Sequence, residues 1–473
     1  MTALSDNAAL FCRGIVAYYG DSLTKMMSQP TKDREELQLA ALQYRFRQLR
    51  ETIPMLKKLA DNEAVLKIDH IEDVVPILFD HTMYKSYPAS LLYEGRFGPL
   101  TQWLNKLTSV DLSGFDSAKC RTLDDWLIGL NEHTPLNVVN SSGTTGVWSF
   151  IPRSKSDWEK FMQYYRVMLL QRFGDETPAE QYPLNIDTLY PYFRSGGGHL
   201  IMNDLYVKYI AGAEERFHVA YPGRLSPDVL LLTQRMRNAA AKGELDRFEI
   251  GPELRAKRDE FLTLMEGREE HAAHFFDECK QKLRGKRIYL QAVPAMLYDM
   301  AAKGLENGDR GVFARNSVVN SAGGLKGAVL PDNWEDVVKE YFGIDRLNVL
   351  FGMSEMNSPQ HRCEHRHYHF VPAIIPFVLD PETSKPLPRT GRVTGRYAFY
   401  ELGVESHWGG FITGDEVTIT WDQPCACGRT GPYLDEQIRR YSDLSKGGDK
   451  ITCAATQEAY DDAMDFLTNT EIH

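Results

Sequence analysis

Six consecutive small residues, Ser141-Ser142-Gly143-Thr144-Thr145-Gly146, carry four hydroxyls and two glycines. Glycine lets a backbone adopt positive φ and approach a ligand closely. Consecutive exposed N–H groups make a concavity suited to an anion. The hydroxyls add donors without charge, so the loop suits a polyphosphate. It is not a Walker loop, because G-x-x-x-x-G-K-[ST] is absent. A second stretch, Asn320-Ser321-Ala322-Gly323-Gly324-Leu325-Lys326-Gly327, follows an apolar run. At the carboxyl end of a strand in an open α/β sheet, where ligands bind, paired glycines let a flat ring lie against the backbone. Each stretch taken alone also reads as a plain turn.

The elements that would position these loops are legible in the hydrophobic pattern. Val138 and Val139 lead into the first loop as a short strand. Residues 31–60 repeat apolar positions at three- and four-residue steps, which predicts helix, with a kink or boundary at Pro54. Residues 121–130 read as a short amphipathic segment, and 154–173 as a helix capped by Ser154 or Ser156. Its Trp158, Phe161, Met162, Tyr165 and Leu169 are assigned to the core. The aromatic, glycine-rich stretch 190–198 reads equally as a pocket lining or a surface turn. Residues 225–245 and 252–284 read as helical, the latter with a solvated charged face. Buried strands are expected at 288–293, 317–319 and 347–351, with helices at 294–305 and 334–342, a parallel-sheet α/β pattern. Past residue 370, short β-rich runs at 374–379, 397–402 and 416–421 predict a smaller β-subdomain.

At 473 residues the chain is about three domains long. Its net charge of −11 argues against a broad nucleic-acid surface. No apolar run approaches the roughly 20 residues of a membrane span, and residues 1–10 lack a basic region followed by an apolar core, so neither a membrane association nor a secretory leader is expected. The seven cysteines, Cys12, Cys120, Cys279, Cys363, Cys425, Cys427 and Cys453, suit reduced cytoplasmic thiols or a metal site better than a disulfide framework.

Taken together, the motifs resemble the adenylate-forming superfamily, the acyl- and aryl-CoA ligases and their relatives. Ser141–Gly146 is similar to its phosphate loop, and the absence of a lysine after Gly146 resembles the phenylacetate-CoA ligase and acyl-protein synthetase branches. Ala322-Gly323-Gly324 resembles the adenine-side loop, and the Gly-Gly-x-Lys-Gly form is most similar to the acyl-protein synthetases. Phe351-Gly352-Met353-Ser354-Glu355 resembles Tyr-Gly-x-Thr-Glu: the ring would stack on adenine, the hydroxyl would bond phosphate, and Glu355 would offer Mg²⁺ a hard oxygen. Thr413-Gly414-Asp415 resembles the motif whose aspartate accepts from both ribose hydroxyls. Ile438-Arg439-Arg440-Tyr441-Ser442-Asp443 resembles the hinge, with Arg439 or Arg440 facing the ribose.

Cys425-Ala426-Cys427-Gly428-Arg429-Thr430 resembles a run of the phenylacetate-CoA ligase branch, in which Cys363-Glu364 and His369 also find counterparts. Thiolates and imidazole suit tetrahedral Zn²⁺, so Cys363, His369, Cys425 and Cys427 are expected to form a structural zinc site, with His365 and His367 competing for the one histidine place. The resemblance implies an N-terminal adenylation domain of 1–130 (mainly helical), 131–360 (ATP-binding core) and 361–437 (β-subdomain), then a hinge and short remnant at 438–473. It implies ATP- and Mg²⁺-dependent conversion of a small or medium carboxylic acid to an acyl-adenylate with pyrophosphate release, with Glu355, Thr144 and Lys326 as candidate catalytic residues. About 30 residues follow Asp443, too few for the mobile C-terminal domain of a CoA ligase, so the expected acceptor is a carrier protein, another protein or an amine, with Cys453 a candidate acyl acceptor. An acyl-CoA ligase with an unusual C-terminus, an acyl-protein synthetase subunit of a larger complex and an idle binding module are the other readings. Homodimerisation is left open.

Overall fold

The computed structural model describes residues 2–141, 147–171, 184–196, 200–241, 243–244, 250–266, 268–323 and 329–441. Among them the chain is a mixed α/β protein with a parallel-dominated sheet, an antiparallel sheet and a small hairpin.

The parallel sheet runs in the order Phe217–Leu225, Asp187–Gly196, Ile288–Ala292, Val318–Ser321, Asn348–Phe351 and Gln360–His361, with only the last pairing antiparallel. Its two faces bury different sets. Leu290, Ala292 and Val319 meet Leu297, Val338 and Phe342 from the helices Pro294–Glu306 and Trp334–Phe342. Tyr289 and Val318 lie in the cluster that also holds Tyr165 and Tyr206 from Lys155–Gln171 and Met202–Tyr206. The first two strands are not where hydropathy alone would place them. The stretch read as pocket lining or surface turn, 190–198, is the second half of a long strand up to Gly196, and each of these strands contains a proline, Pro191 and Pro222. The register slips between Tyr190 and Phe193, beside Pro191, the kind of irregularity at which a strand tolerates a residue that cannot donate. The expected long helix at 252–284 is two, Pro252–Met265 and Arg268–Leu283.

The antiparallel sheet joins Ile374–Leu379, Arg392–Glu401, Gly410–Thr420, Tyr433–Leu434 and Tyr368–His369 in that order, and takes in Phe79–Asp80 and Arg439–Arg440 against the Gly410–Thr420 strand. The helix Thr31–Thr52 ends at Ile53, where Pro54 starts the next. Leu37, Ala41, Leu42, Phe46 and Leu49 bury its apolar stripe. Three polar residues interrupt that stripe and are buried too. Gln38 donates to the carbonyls of Pro372 and Ile374 at 2.8 and 3.1 Å, Arg45 Nε to that of Leu402 at 3.0 Å, and Arg34 to Thr430 O at 3.1 Å. Carbonyls buried by the packed helix would otherwise lose their water partners, at about 1–3 kcal/mol each. These contacts fix where the antiparallel sheet sits.

Ser154 is the residue that caps Lys155–Gln171: its hydroxyl accepts from Asp157 N at 3.0 Å. The expected core stripe of that helix is buried, from Trp158 to Leu169.

Candidate functional site

Gly352 to Glu355 leave the carboxyl end of the strand Asn348–Phe351 and turn back toward Gln360–His361. One buried cation holds that turn. Arg153 Nη2 donates to the carbonyls of Ser354 at 2.9 Å and Met356 at 3.0 Å, and its guanidinium lies 4.6 Å from the Trp158 ring centre. Burial pulls the Arg153 pKa down, and Glu401, Asp157 and Glu355 oppose it. Glu401 reaches the same loop from the antiparallel sheet, accepting from Ser358 Oγ at 2.5 Å and Asn357 N at 2.6 Å. Burial pushes its carboxyl up to about 7, against the pull of those two bonds and of Arg153.

Asp157 completes the support. Ser154-x-x-Asp157 has the spacing of a local capping box, yet the Asp157 carboxylate is spent elsewhere. It accepts from Glu405 N, Ser406 N and Ser406 Oγ at 3.2, 3.1 and 2.5 Å, while Ser406 Oγ serves Ser154 N at 2.9 Å. His407 beside it is buried, and burial pushes its pKa down to about 4. Arg153, Asp157 and Glu401 were absent from the sequence reading. Only the capping pattern marked Asp157, and it pointed to a local role.

Glu355 itself is partly exposed but enclosed by protein. That enclosure raises its pKa, with Asp415 adding to the rise and Arg153 and Arg440 opposing it. Asp415 comes from the middle of Gly410–Thr420. Glu416 pairs with Arg396 and Ile412 with Ala398, so Thr413-Gly414-Asp415 bulge opposite Tyr397 alone. Bulges commonly re-aim side chains beside functional sites. Thr413 clamps this one, donating to Tyr397 O at 2.9 Å and accepting from Asp415 N at 3.0 Å. The freed edge pairs Asp415 with Arg440, whose Nε lies 3.5 Å from the Asp415 carboxylate, and Glu416 with Arg439. A Gly-Asp pair usually marks a hairpin tip; here it sits within a strand. Phe351 packs with ring centres 5.9 Å from both Tyr368 and Tyr397.

Other expected residues are placed only at their edges. Ser141 ends the strand Val139–Ser141, paired with Ser149–Ile151, and is buried; Ser142, Gly143, Thr144, Thr145 and Gly146 lie outside the described residues. Ala322 N donates to Ala292 O at 3.3 Å, and Gly323 has φ +95°; Gly324 and Lys326 lie outside, as do Asp443 and Cys453.

The second cluster is metal-like in its donors. Single ligand atoms of Cys363, His369, Cys425 and Cys427 all lie within 4.8 Å of one another. Cys363 Sγ and Cys425 Sγ are 3.9 Å apart, and Cys427 Sγ is 3.2 Å from His369 Nε2. Two thiolates on a tetrahedral Zn²⁺ with bonds of about 2.3 Å stand about 3.8 Å apart, so the sulfur spacing fits that ion and not a disulfide. His367 Nδ1 lies 3.3 Å from Cys425 Sγ, and its ring stacks on Tyr433 at 4.4 Å. Burial, with nearby Arg429, holds the His369 pKa down to about 3, so the ring is neutral, as a metal ligand must be. Tight turns shape the cluster: Cys363 N donates to His367 O at 2.8 Å, and Gly428 N to Cys425 O at 3.0 Å. Outside it, Arg362 and Arg366 both pair with Glu335 and Glu436. Thr430 and Gly431 are explained by the helix Thr31–Thr52. Arg34 Nη2 donates to Thr430 Oγ1 at 2.6 Å, and a Cβ on Gly431 would stand 1.8 Å from Arg34 Nη1. A cavity of about 360 Å³ abuts this cluster, with Arg346, His361, Glu364 and Arg429 in its wall. Glu355 and Asp415 do not line it.

No protein-family model matches the chain, and no curated protein matches it in sequence. Among solved structures, an open conformation of 2-hydroxyisobutyryl-CoA ligase in complex with 2-HIB-AMP and CoA aligns with 91% of this chain and 81% of its own, at 14% identity and a TM-score of 0.48. The same ligase in its thioesterification state gives 15% identity over 88% of this chain and 70% of its own, with a TM-score of 0.49. ATP-bound MatB from Rhodopseudomonas palustris covers 66% of this chain and 50% of its own, at 15% identity and a TM-score of 0.31. At these scores the likeness assigns neither a family nor an activity.

Proposed function

We propose that this chain is a carboxylate-activating ligase that uses ATP and Mg²⁺ to form an acyl-adenylate, releases pyrophosphate, and passes the acyl group to an acceptor. The observation that carries this reading is the convergence of Glu355, Asp415 and Arg440. These residues come from three separate motifs; Asp415 and Arg440 both act electrostatically on the Glu355 carboxylate, and Arg440 Nε lies 3.5 Å from the Asp415 carboxylate. Two electrostatically coupled carboxylates, a partly exposed Glu355 beyond the carboxyl edge of the parallel sheet and Asp415 in a bulge of the antiparallel sheet, suit a divalent cation and a ribose. Glu355 would hold Mg²⁺, which when bound neutralises phosphate charge. Asp415 would accept from the ribose hydroxyls, and Arg440 would orient Asp415. Phe351 would supply the adenine surface, and Ser354 a phosphate donor on a turn that Arg153 fixes. The Ser141–Gly146 and Ala322–Lys326 loops, including Thr144, would complete the nucleotide cradle. The carboxylate nucleophile is already ionised at neutral pH, so the residues have to position reactants and stabilise charge rather than remove a proton.

The Cys363, His369, Cys425 and Cys427 set fits a closed structural Zn²⁺ site, supported by four ligand atoms within 4.8 Å of one another. The acceptor is read as a carrier protein, another protein through Cys453, an amine, or CoA. No helix among the described residues is long and apolar enough to cross a membrane, which agrees with action on a small acid in the cytoplasm.

The test is pyrophosphate release across a panel of carboxylic acids with ATP and Mg²⁺, with and without CoA, followed by intact-mass measurement. Release that depends on one class of acid is the expected result. A covalent acyl adduct lost in Cys453→Ala identifies self-acylation, and rapid acyl-CoA formation identifies CoA as acceptor. No release with any acid overturns the ligase reading.

A further inference from the structure

A chain of polar side chains crosses the face of the parallel sheet and ends on Gln291. His361 Nδ1 lies 2.8 Å from Asn348 Oδ1, and Asn348 Nδ2 donates to Asn320 Oδ1. Asn320 Nδ2 donates to the hydroxyls of Tyr165 at 2.6 Å and Tyr289 at 2.9 Å. The hydroxyls of Tyr165, Tyr206 and Tyr289 lie 3.0, 2.8 and 2.9 Å from Gln291 Oε1, and because those of Tyr165 and Tyr289 are bonded to each other at 2.7 Å, no more than two of the three donate to it. Each amide has a donor end and an acceptor end, so with His361 Nδ1 as the donor the chain carries one direction throughout. That direction leaves Gln291 presenting its Nε2. The three tyrosines and Asn320 are at most 1% exposed, whereas Gln291 is partly exposed. Among the described residues no acceptor meets Gln291 Nε2.

The location gives that donor a use. Gln291 is the penultimate residue of its strand, and the next residue, Ala292, accepts from Ala322 N at the start of the second glycine stretch. The amide therefore stands at the carboxyl edge of the sheet, where ligands of open α/β sheets bind. Its cluster is made of phenols and amides, with no lysine or arginine bonded into it, so it offers a neutral donor rather than a countercharge.

We propose that Gln291, at the carboxyl edge of the parallel sheet, is a specificity-determining residue for the acid, donating from Nε2 to an uncharged oxygen, hydroxyl or carbonyl, on the acyl chain of the substrate, with Tyr165, Tyr206 and Tyr289 as positioning residues. This rests on the ligase reading and names the substrate class of that site. Tyrosine hydroxyls converging on one oxygen hold the amide before the acid arrives. An acid lacking the oxygen leaves a dehydrated donor unpaired, which is how polar pockets reject apolar analogues.

The experiment uses matched acids, a hydroxy or keto acid against the analogue with that oxygen replaced by a methyl or methylene group. Two measurements are made on the full chain: pyrophosphate release with ATP and Mg²⁺, and calorimetric binding of the acid without ATP. Wild type is expected to favour the oxygenated member by about 10-fold or more. Gln291→Leu and the shape-preserving Gln291→Met should abolish that ratio, weakening the oxygenated member and improving the analogue, whose unpaired donor is removed. Tyr206→Phe should narrow it through KM with kcat kept. If Gln291→Leu fails to fold, Gln291→Met and Tyr206→Phe carry the comparison. A ratio near one in wild type, or one unchanged in the variants, overturns the inference, as does an equal loss for both members, which would place Gln291 on the reacting carboxylate. A Gln291-dependent binding preference without pyrophosphate release removes the ligase reading and leaves this inference standing. Absence of both overturns the two together.

Discussion

Glu355 and Cys363 stand on neighbouring turns of one segment, yet their surroundings are built in opposite ways. Around Glu355, the supporting charges hold the backbone: Arg153 takes two carbonyls, and Glu401 takes a hydroxyl and an amide. The carboxylate itself is left partly exposed, with Asp415 raising its pKa. Around Cys363, the donors face one another and the supporting charges lie outside, as Arg362 and Arg366 grip Glu335 and Glu436. The first arrangement keeps a charged side chain available to something that comes and goes. The second turns every donor toward the others. Availability costs stability at the side chain, and the buried network behind it restores order to the backbone, whereas closure is itself a source of stability.

The comparison breaks first at the knuckle. Purified protein should contain about one zinc per chain. Removing it with a strong chelator, or making Cys425→Ser, should cost stability on the scale of structural zinc binding, roughly 10 kcal/mol at the lower end of that scale. Elemental analysis and thermal unfolding check this. A zinc-free protein whose melting temperature ignores both treatments sinks the closed-centre half of the contrast.

Glu355→Gln should do the reverse. Pyrophosphate release should fall about 10²-fold or more, near 3 kcal/mol of transition-state stabilisation. The melting temperature should hold or rise, since a carboxylate whose pKa the fold has raised is removed. A large loss of melting temperature in this variant would mean Glu355 is structural.

The buried support sharpens the contrast through pH. Glu401 keeps its proton to about 7 in the fold against an ordinary value of 4.5, so it adds stability at low pH that is lost as pH rises to about 7. His407 is held down to about 4 against 6.5, so its contribution is present at neutral pH and lost as pH falls to about 4. Between pH 4.5 and 6.5 the two slopes oppose. Glu401→Gln should leave the His407 slope uncovered, steepening the acid loss of stability by about 2–3 kcal/mol over that interval relative to wild type. Urea unfolding at three pH values reads it directly, and parallel curves for the two proteins would refute it.

Thr430→Val carries the smallest expected effect, about 1–2 kcal/mol, because Arg34 keeps the Thr430 carbonyl when it loses the hydroxyl. Zinc content should not change. Loss of zinc in this variant would mean that the helix Thr31–Thr52, and not the four donors, holds the knuckle together.

What was legible in the sequence follows from the range of each interaction. Helix Trp334–Phe342 and strand Ile374–Leu379 were readable because an apolar period is local. The Phe351–Glu355 and Cys/His stretches were readable because their chemistry is written in adjacent residue types. Strands Asp187–Gly196 and Phe217–Leu225 were not, since their prolines and tyrosines conceal the period and a shifted register absorbs them. Nor were Arg153 and Glu401, whose partners are Ser354, Met356, Asn357 and Ser358 brought together only by the fold. The network on Gln291 was half visible: Tyr165 was assigned to the core, where it is, but its hydroxyl's errand depends on Asn320 and Gln291, each on another strand.

The clasp of Arg34 on Thr430 sets a timetable for the newborn protein. Its two halves are 396 residues apart, so at about 5–20 residues per second the helix waits roughly 20–80 s on the ribosome for the loop it holds. For most of that wait Arg34, Gln38 and Arg45 stand on an unfinished surface, and Phe79–Asp80 lacks its partner Phe411–Ile412. The antiparallel sheet closes only once the far end has emerged, so a ribosome that stalls before residue 430 releases a chain with the helix Thr31–Thr52 still unclasped.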